Sequence, residues 1–503
     1  MPVLTLTGAG LSADDLAQAA RGDLQIALCP DGLTRMAKSR ALVDQVIADG
    51  MPVYGVTTGL GARSTEALDA ETLQAFSVQT LRGRAQALGP PEAPEVLRAA
   101  MIVRANTMLS GCSGAHPRVA EHLVTCLNAG LTPIVGQLGS IGAADLVINA
   151  TLGLSLIGEG RMQDRTGQVG DSEEMMQAHG IAPLQLGPRD GLALANHTGY
   201  VAGAGALVIR AADRAFEALQ TASALSMEAF RANLTPLDPG ILAVKPLPGQ
   251  AIAATGLTTR LRGSALWDSA HARRMQDPLS IRNVAQIHGT LAQALSVAED
   301  LIEIEINGVS DNPVALVDEA RMISGGNYYS AELCHVIEGV SRAFVPVAMA
   351  QLARFSKLLT PAFSDLPAFL AQEHSASNGF APVMKPAEAL AASLTQAAQP
   401  VPVWPSINAN GIEDCLPNTP VAIRGLETVV ECSRHLTAIE LLVAARGIEL
   451  RGCQADIAPF LGAALVELRR IAPAMTVDRS VSADIGKLAA EIAQGENRAF
   501  FPG

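Results

Sequence analysis

Aromatic side chains are scarce in this 503-residue chain: two Trp, four Tyr and eleven Phe, 3% of the whole. That argues against a pocket shaped for a phenyl side chain, and it makes the placement of each tyrosine informative. Basic residues are outnumbered 36 to 49, for a net charge of −13. No basic stripe appears, so nucleic acid is not an expected partner. Cysteine is sparse, an odd and scattered seven. There is no CxxC pair and no zinc spacing, so no metal site is expected and a reducing cytoplasm suits the chain. Met1 to Gly10 lacks a basic segment followed by an apolar core, so no signal peptide is expected. No uncharged apolar run reads as a membrane span, so no membrane partner is expected either.

What is abundant is apolar and helix-forming. Hydrophobic residues make up 49% of the chain, dominated by Ala and Leu, which favours helix over sheet. Residues 190–230, 283–307, 329–359 and 419–450 repeat apolar positions at i, i+3 and i+4, and their lengths suit a central bundle. Residues 361–417 are interrupted by eight prolines and read as loop-rich. Ser12, before Ala-Asp-Asp, reads as a helix N-cap. These patterns predict an all-α protein with a long central helical bundle and a smaller loop-rich N-terminal region. Three segments follow along the chain: 1–190, 191–453 and 454–503.

Two glycine-rich stretches stand out. Val53-Tyr54-Gly55-Val56-Thr57-Thr58-Gly59-Leu60-Gly61 has three glycines in seven residues and cannot be a regular helix, so Tyr54 is expected on a mobile loop that acts as a lid. Gly139-Ser140-Ile141-Gly142-Ala143-Ala144-Asp145-Leu146 lies between apolar helical patterns. By itself such a run reads as a helix connector. Further motifs accompany it: Leu194-Ala195-Asn196-His197-Thr198, Gln276-Asp277-Pro278-Leu279-Ser280-Ile281-Arg282, Asn307 to Pro313, Gly325-Gly326-Asn327-Tyr328-Tyr329, Ser377 to Pro386, and Glu413-Asp414.

In this order the motifs resemble the aromatic amino acid ammonia-lyases, the family acting on histidine, phenylalanine and tyrosine. The resemblance covers about residues 25–455 and implies the ammonia-lyase and fumarase-like helical fold. It implies a cytoplasmic homotetramer whose sites are shared between chains, and a small zwitterionic substrate. In that family an Ala-Ser-Gly triplet cyclises to a methylideneimidazolone (MIO) electrophile that captures the departing amine. Here Ala143-Ala144-Asp145 lacks the cyclising serine, so no MIO and no other cofactor is expected. The resemblance makes Tyr54 the catalytic base. It makes Arg282 the clamp on the substrate carboxylate and sets Glu413 near an imidazole ring. Asn196, Asn312 and Tyr328 become substrate contacts. Gln79, with Thr80, fills the place of the residues that select substrate. His197 replaces a glycine and adds a side chain able to hold a proton. Lys385 is a charge in a stretch usually apolar, a candidate cationic acid or anion stabiliser. Leu279 replaces a tyrosine and has no proton to give.

A primary amine leaves badly and needs the missing electrophile. A trimethylammonium group leaves as neutral trimethylamine and needs no capture. The chain is therefore similar to the ergothionases, lyases that split trimethylamine from ergothioneine, the betaine of 2-thiohistidine, to give thiourocanate. Two alternatives are a lyase acting on hercynine or another activated histidine-like substrate, and a non-catalytic relative that keeps the fold for binding. An MIO-dependent ammonia-lyase fits least.

Overall fold

A computed structural model of the chain describes residues 1–60, 67–372 and 376–501. Gly61, the last residue of the Tyr54 motif, falls outside them. Ser12 caps the Ala13–Arg21 helix, its Oγ accepting from Asp15 N–H at 3.1 Å. Gly22 closes the helix in the left-handed conformation, as a C-terminal glycine does at low steric cost.

The four long apolar repeats become the helices Gly199–Phe230, Val284–Glu305, Ala331–Leu358 and Thr419–Arg451. Strands are few and short. Val3–Leu6 pairs in parallel with Gln25–Leu28, and three small antiparallel sheets complete the set among the described residues. The fold is all-α.

The chain forms two compact units, each gathered from separated segments. The first comprises Met1–Arg210, Glu299–His335 and Val401–Ile423. The second comprises Ala211–Ala298, Val336–Pro400 and Arg424–Gly503. This grouping is by contact in space, whereas 1–190, 191–453 and 454–503 follow the chain. Every long helix has one end in the first unit. For three of them that end is the N-terminus.

Two sequence expectations need correction. The proline-rich stretch 361–417 contains a 14-residue helix, Met384–Ala397. Pro386 lies in its first turn, where no helical N–H partner is lost. The helical segments 190–230 and 331–358 are also long and apolar enough to span a membrane by length and composition. The apolar window of the first is 94% buried within the protein, as a core helix is.

The core of the second unit holds a fully buried ion pair, Arg354 with Glu440, at 2.8 Å. Ser226 Oγ donates to Glu440, and Arg354 donates to Ser223 Oγ at 2.7 Å and to the Ser280 carbonyl. Three long helices and the Gln276–Arg282 motif are thus tied to one charge pair. Removing one partner strands the other charge in the core. Arg354→Leu should therefore cost about 3–5 kcal/mol in urea unfolding. The double variant Arg354→Leu/Glu440→Leu should be more stable than the single variant. A single variant with the wild-type midpoint would show that the pair contributes no stability.

Candidate active site

The loop through Gly142 is pressed against the starts of four helices. Gly142 takes φ +79°, and a Cβ there would lie 2.8 Å from both Pro417 Cγ and Thr419 Oγ1, so only glycine fits. Ala144 and Asp145 follow at φ +63° and +50°, left-handed values that cost about 1–2 kcal/mol each when a side chain is present. The helix Leu146–Leu156 begins at the next residue. Val201 N–H, in the first turn of Gly199–Phe230, donates to Asp145 Oδ2 at 3.0 Å. Ser330, just before Ala331–Leu358, donates its N–H and its hydroxyl to the Gly142 carbonyl at 3.1 and 2.7 Å. Its hydroxyl lies 2.7 Å from Thr419 Oγ1, at the head of Thr419–Arg451. Each helix start carries a partial positive charge, so the loop sits in a field that favours anions.

Asp145 is fully buried. Burial pushes its carboxyl up to about 7, against the pull of hydrogen bonds from Ser140 Oγ and Val201 N–H. The residues present do not fit the MIO group that the fold family implies. Ala143 and Ala144 have no hydroxyl to lose as water. Ala144 N–H donates to the Tyr328 carbonyl at 2.9 Å, and Ala143 bridges to Tyr329. The nearby Ser140 hydroxyl is held by Asp145 and by Gly142 N–H.

His197, expected from the sequence to hold or pass a proton, has both ring nitrogens engaged. It is buried, its Nε2 faces the Leu194 carbonyl at 3.0 Å, and its Nδ1 accepts from Gly199 N–H at 3.0 Å. Those two contacts fix one neutral tautomer. Burial holds its pKa well below the ordinary histidine value. Its backbone N–H donates to the Ala144 carbonyl at 3.2 Å. His197 is thus a brace for the loop. Neighbouring Asn196 differs. It is 6% exposed and its Oδ1 has no hydrogen-bond partner among the described residues, so an acceptor stands ready for a ligand donor.

Asn312 is also committed elsewhere. Its Oδ1 accepts from Gly325 N–H at 3.2 Å and its carbonyl accepts from Arg189. It belongs to a buried charge cluster. Arg104 binds Asp311 through two 2.8 Å bonds, and Arg189 adds a third at 3.2 Å. Burial works to raise the Asp311 carboxyl, but the two guanidinium groups outweigh it and hold it below its ordinary value. Arg189 sits at φ +74° to make these bonds.

Tyr54 is half-buried in a turn that is packed rather than open. The N–H groups of Val56, Thr57 and Thr58 all point to the Val53 carbonyl, and Val56 is buried against Val43 and Val46. Gly55, at φ +63°, leaves no room for a Cβ beside Leu192. The loop tail, Gly59 and Leu60, borders a pocket of about 400 Å³. The Ala70–Arg84 helix supplies Gln79, Thr80 and Arg84 to the same pocket. Arg84 escaped the sequence reading. Burial pushes its guanidinium below the ordinary value, while Tyr54 and Glu413 push back, so Arg84 lies within electrostatic reach of both. Arg189 also feels Tyr54. Glu413 is half-buried, and Cys415 two residues on accepts from the Tyr329 hydroxyl at 3.1 Å. Tyr328 is half-buried.

Tyr54, Gln79, Asn196, Tyr328 and Glu413 all belong to the first unit, and the Tyr328 carbonyl bonds the loop at Ala144 N–H. Arg282 and Lys385 belong to the second unit. Arg282 is exposed, bonds Gln276 and borders an open pocket of about 440 Å³. Lys385 is exposed in the first turn of Met384–Ala397.

The family model described as aromatic amino acid lyase matches residues 11–470. Histidine ammonia-lyase from Treponema denticola is 32% identical, over 98% of this chain and 97% of its own length. Histidine ammonia-lyase from Geobacillus thermodenitrificans is 33% identical, over 96% of each. Among solved structures, the ergothionase of Treponema denticola in complex with desmethyl-ergothioneine sulfonic acid superposes with a TM-score of 0.92. It is 26% identical, over 98% of this chain and 99% of that one. Histidine ammonia-lyase from Trypanosoma cruzi follows at a TM-score of 0.90 and 26% identity, over 98% and 94%.

The Asp145 carboxyl makes stability depend on pH. An unfolded Asp titrates near about 3.9, whereas the folded one is pushed up to about 7. The folded state holds the proton more tightly, so this stabilisation is full below about 3.9 and is lost as pH rises through 7. Asp145→Asn mimics the protonated form. The difference in melting temperature, variant minus wild type, should grow between pH 5 and pH 8 (a range of about three units around the shift). A difference that is flat over that range would show Asp145 to be ionised throughout.

Proposed function

This chain belongs to the aromatic amino acid lyase family, and from that premise we propose that it eliminates trimethylamine from a histidine-derived betaine without an MIO group. It is a carbon–nitrogen lyase; the substrate and the route are the proposal. The observation that carries it is the loop Ala143-Ala144-Asp145. The hydroxyl that MIO formation consumes is absent, yet the base, the acceptor amide and the ring-facing carboxylate of the family are kept. Such a site suits a substrate whose leaving group departs unaided. The likeness to ergothionase supports ergothioneine as that substrate. The histidine ammonia-lyase relatives support a histidine-like skeleton.

In this reading Tyr54, as phenolate, takes the Cβ proton. The freed electron pair forms the C=C bond as the C–N bond breaks, and trimethylamine leaves neutral. A free tyrosine has a pKa of about 10, so a tyrosine base depends on nearby cations. Arg84 and Arg189 lie within electrostatic reach of Tyr54, and the substrate brings its own ammonium. Glu413 holds the ring N–H and Asn196 Oδ1 accepts a further donor. By motif position Arg282 clamps the carboxylate, and Lys385 adds positive charge toward the ring. The reading includes a homotetramer. Exposed Trp404, Ile407, Ile412, Met275 and Leu279 form apolar surface of the kind that subunits cover.

Incubation with ergothioneine, hercynine and histidine tests the reading, with acrylate absorbance and released amine as readouts. Ergothioneine should give trimethylamine and thiourocanate. Turnover of hercynine alone would move the substrate to the unsulfurated betaine, and ammonia from histidine would overturn the proposal. Tyr54→Phe keeps the ring and removes the hydroxyl. It should bind substrate yet lose about 10²–10⁴ in kcat, the usual contribution of a positioned base. Wild-type turnover by Tyr54→Phe would place the base elsewhere.

Intact mass measures the loop independently of activity. The protein should have the full mass of its sequence. A deficit of about 18 Da, one water, mapped to residues 139–146 would mean that a cyclised group forms after all.

A further inference from the structure

Phe76, Thr80 and Arg84 recur every four residues on the Ala70–Arg84 helix and so lie on one face. That face forms one wall of the 400 Å³ pocket, with Gly59 and Leu60 opposite. Two groups in this wall are left incomplete. Thr80 is 3% exposed and its hydroxyl has no hydrogen-bond partner among the described residues. A buried polar group in that state is costly unless something completes it. Arg84 is half-buried, and its one hydrogen bond among the described residues is a long 3.4 Å contact to the Thr80 carbonyl. Among the described residues no carboxylate bonds its guanidinium. Asp69, which also borders the pocket, spends a carboxylate oxygen on capping its own helix through Thr72 N–H at 2.8 Å.

The incomplete groups share one chemistry. A guanidinium donates only, and a hydroxyl has one proton to donate as well as lone pairs to accept. Their complement is an acceptor that carries negative charge. The wall borders the tail of the Tyr54 loop, and Arg84 lies within electrostatic reach of Tyr54 and Glu413, the groups that take the proton and hold the ring in the reading above.

We propose that Arg84 and Thr80 form an acceptor subsite that reads an electron-rich atom on the substrate ring, the thione sulfur of a 2-thiohistidine betaine, a proposal that rests on the function given above. The imidazole-2-thione sulfur is an acceptor with thiolate character. As the Cβ proton leaves, negative charge spreads into the ring and toward that sulfur, and a guanidinium placed there stabilises it. An unsubstituted imidazole carries hydrogen at this position and leaves both donors unmet. Selection is then set by the polar groups left unpaired with the wrong ligand, the kind of discrimination that binding sites make most strongly.

Equilibrium binding of the two product acids separates this from other roles. Thiourocanate and urocanate share the acrylate and the ring and differ in the sulfur. The full-length protein should bind thiourocanate at least about tenfold more tightly by calorimetry, as one charge-assisted contact predicts. Arg84→Met should bring that ratio to about one, by weakening thiourocanate while urocanate changes less than about threefold. Thr80→Val keeps volume, removes the hydroxyl and should reduce the ratio in part. Arg84→Lys should restore some of it, since charge remains without the fork. An unselective wild type, or an Arg84→Met variant with the ratio intact, overturns the proposal. Equal weakening of both acids also overturns it, because Arg84 then serves the carboxylate or the fold. If Arg84→Met does not fold, Thr80→Val decides alone: an unchanged ratio overturns the subsite. Failure of the functional reading shows separately, as ergothioneine that binds selectively but releases no trimethylamine.

Discussion

Four helices begin against one loop, and that arrangement constrains the rest of the site. The starts of Leu146–Leu156, Gly199–Phe230, Ala331–Leu358 and Thr419–Arg451 meet at Gly142 to Asp145 through the bonds of Val201, Ser330 and Thr419. Unpaired N–H groups at helix starts must find acceptors. The Gly142 carbonyl and the Asp145 carboxyl supply some of them. Chain conformation yields to this requirement. Gly142, Ala144 and Asp145 adopt left-handed angles in near succession, and two of the three carry side chains that resist it. The strain is local and is maintained by buried bonds on all sides.

A loop of this kind can lose its chemistry and keep its shape. The residues that brace it, His197, Asn149, Ser330 and Thr419, bond to backbone carbonyls around it. None of those contacts requires a hydroxyl at Ala143 or Ala144. The bracing contacts around the loop thus do not depend on a serine at this position. What persists is a positive field from helix ends, a buried acid at Asp145, and a tyrosine within reach of two arginines. Those features act on charge, not on a covalent partner, and they suit a substrate that arrives with its leaving group already charged.

The long helices were legible because their apolar positions recur at helical spacing over more than twenty residues, and no competing pattern survives that length. Ser12 was legible because capping is local. Met384–Ala397 was not, since prolines in a first turn look in sequence like prolines in a loop. The site divides the same way. Tyr54, Asn196 and Glu413 stood out by motif. The roles of His197 and Asn312 could not be read, because their partners are backbone groups at Leu194, Gly199 and Gly325. Arg84 carried no signal at all. An arginine near a helix C-terminus reads as a solvated end charge. Only the fold shows that it faces a pocket shared with the Tyr54 loop, within electrostatic reach of Glu413.

Arg104, Arg189 and Asp311 form a buried charge cluster in the first unit. Two guanidinium groups share one carboxylate, so the cluster holds more positive than negative charge within its own bonds. Arg189 leans on four acceptors, three of them backbone carbonyls, which satisfies its donors without cancelling its charge. Its effect reaches Tyr54 through a buried interior, where screening by water and salt is weak. A mobile surface lysine would be screened and would move. A buried arginine fixed by backbone carbonyls does neither. Elimination needs positive potential at the base before the proton moves, when no electrophile is present to pull from the other end. In the elimination proposed above, this fixed charge would act on Tyr54, and a leaving group that is already charged would supply what the cluster leaves undone.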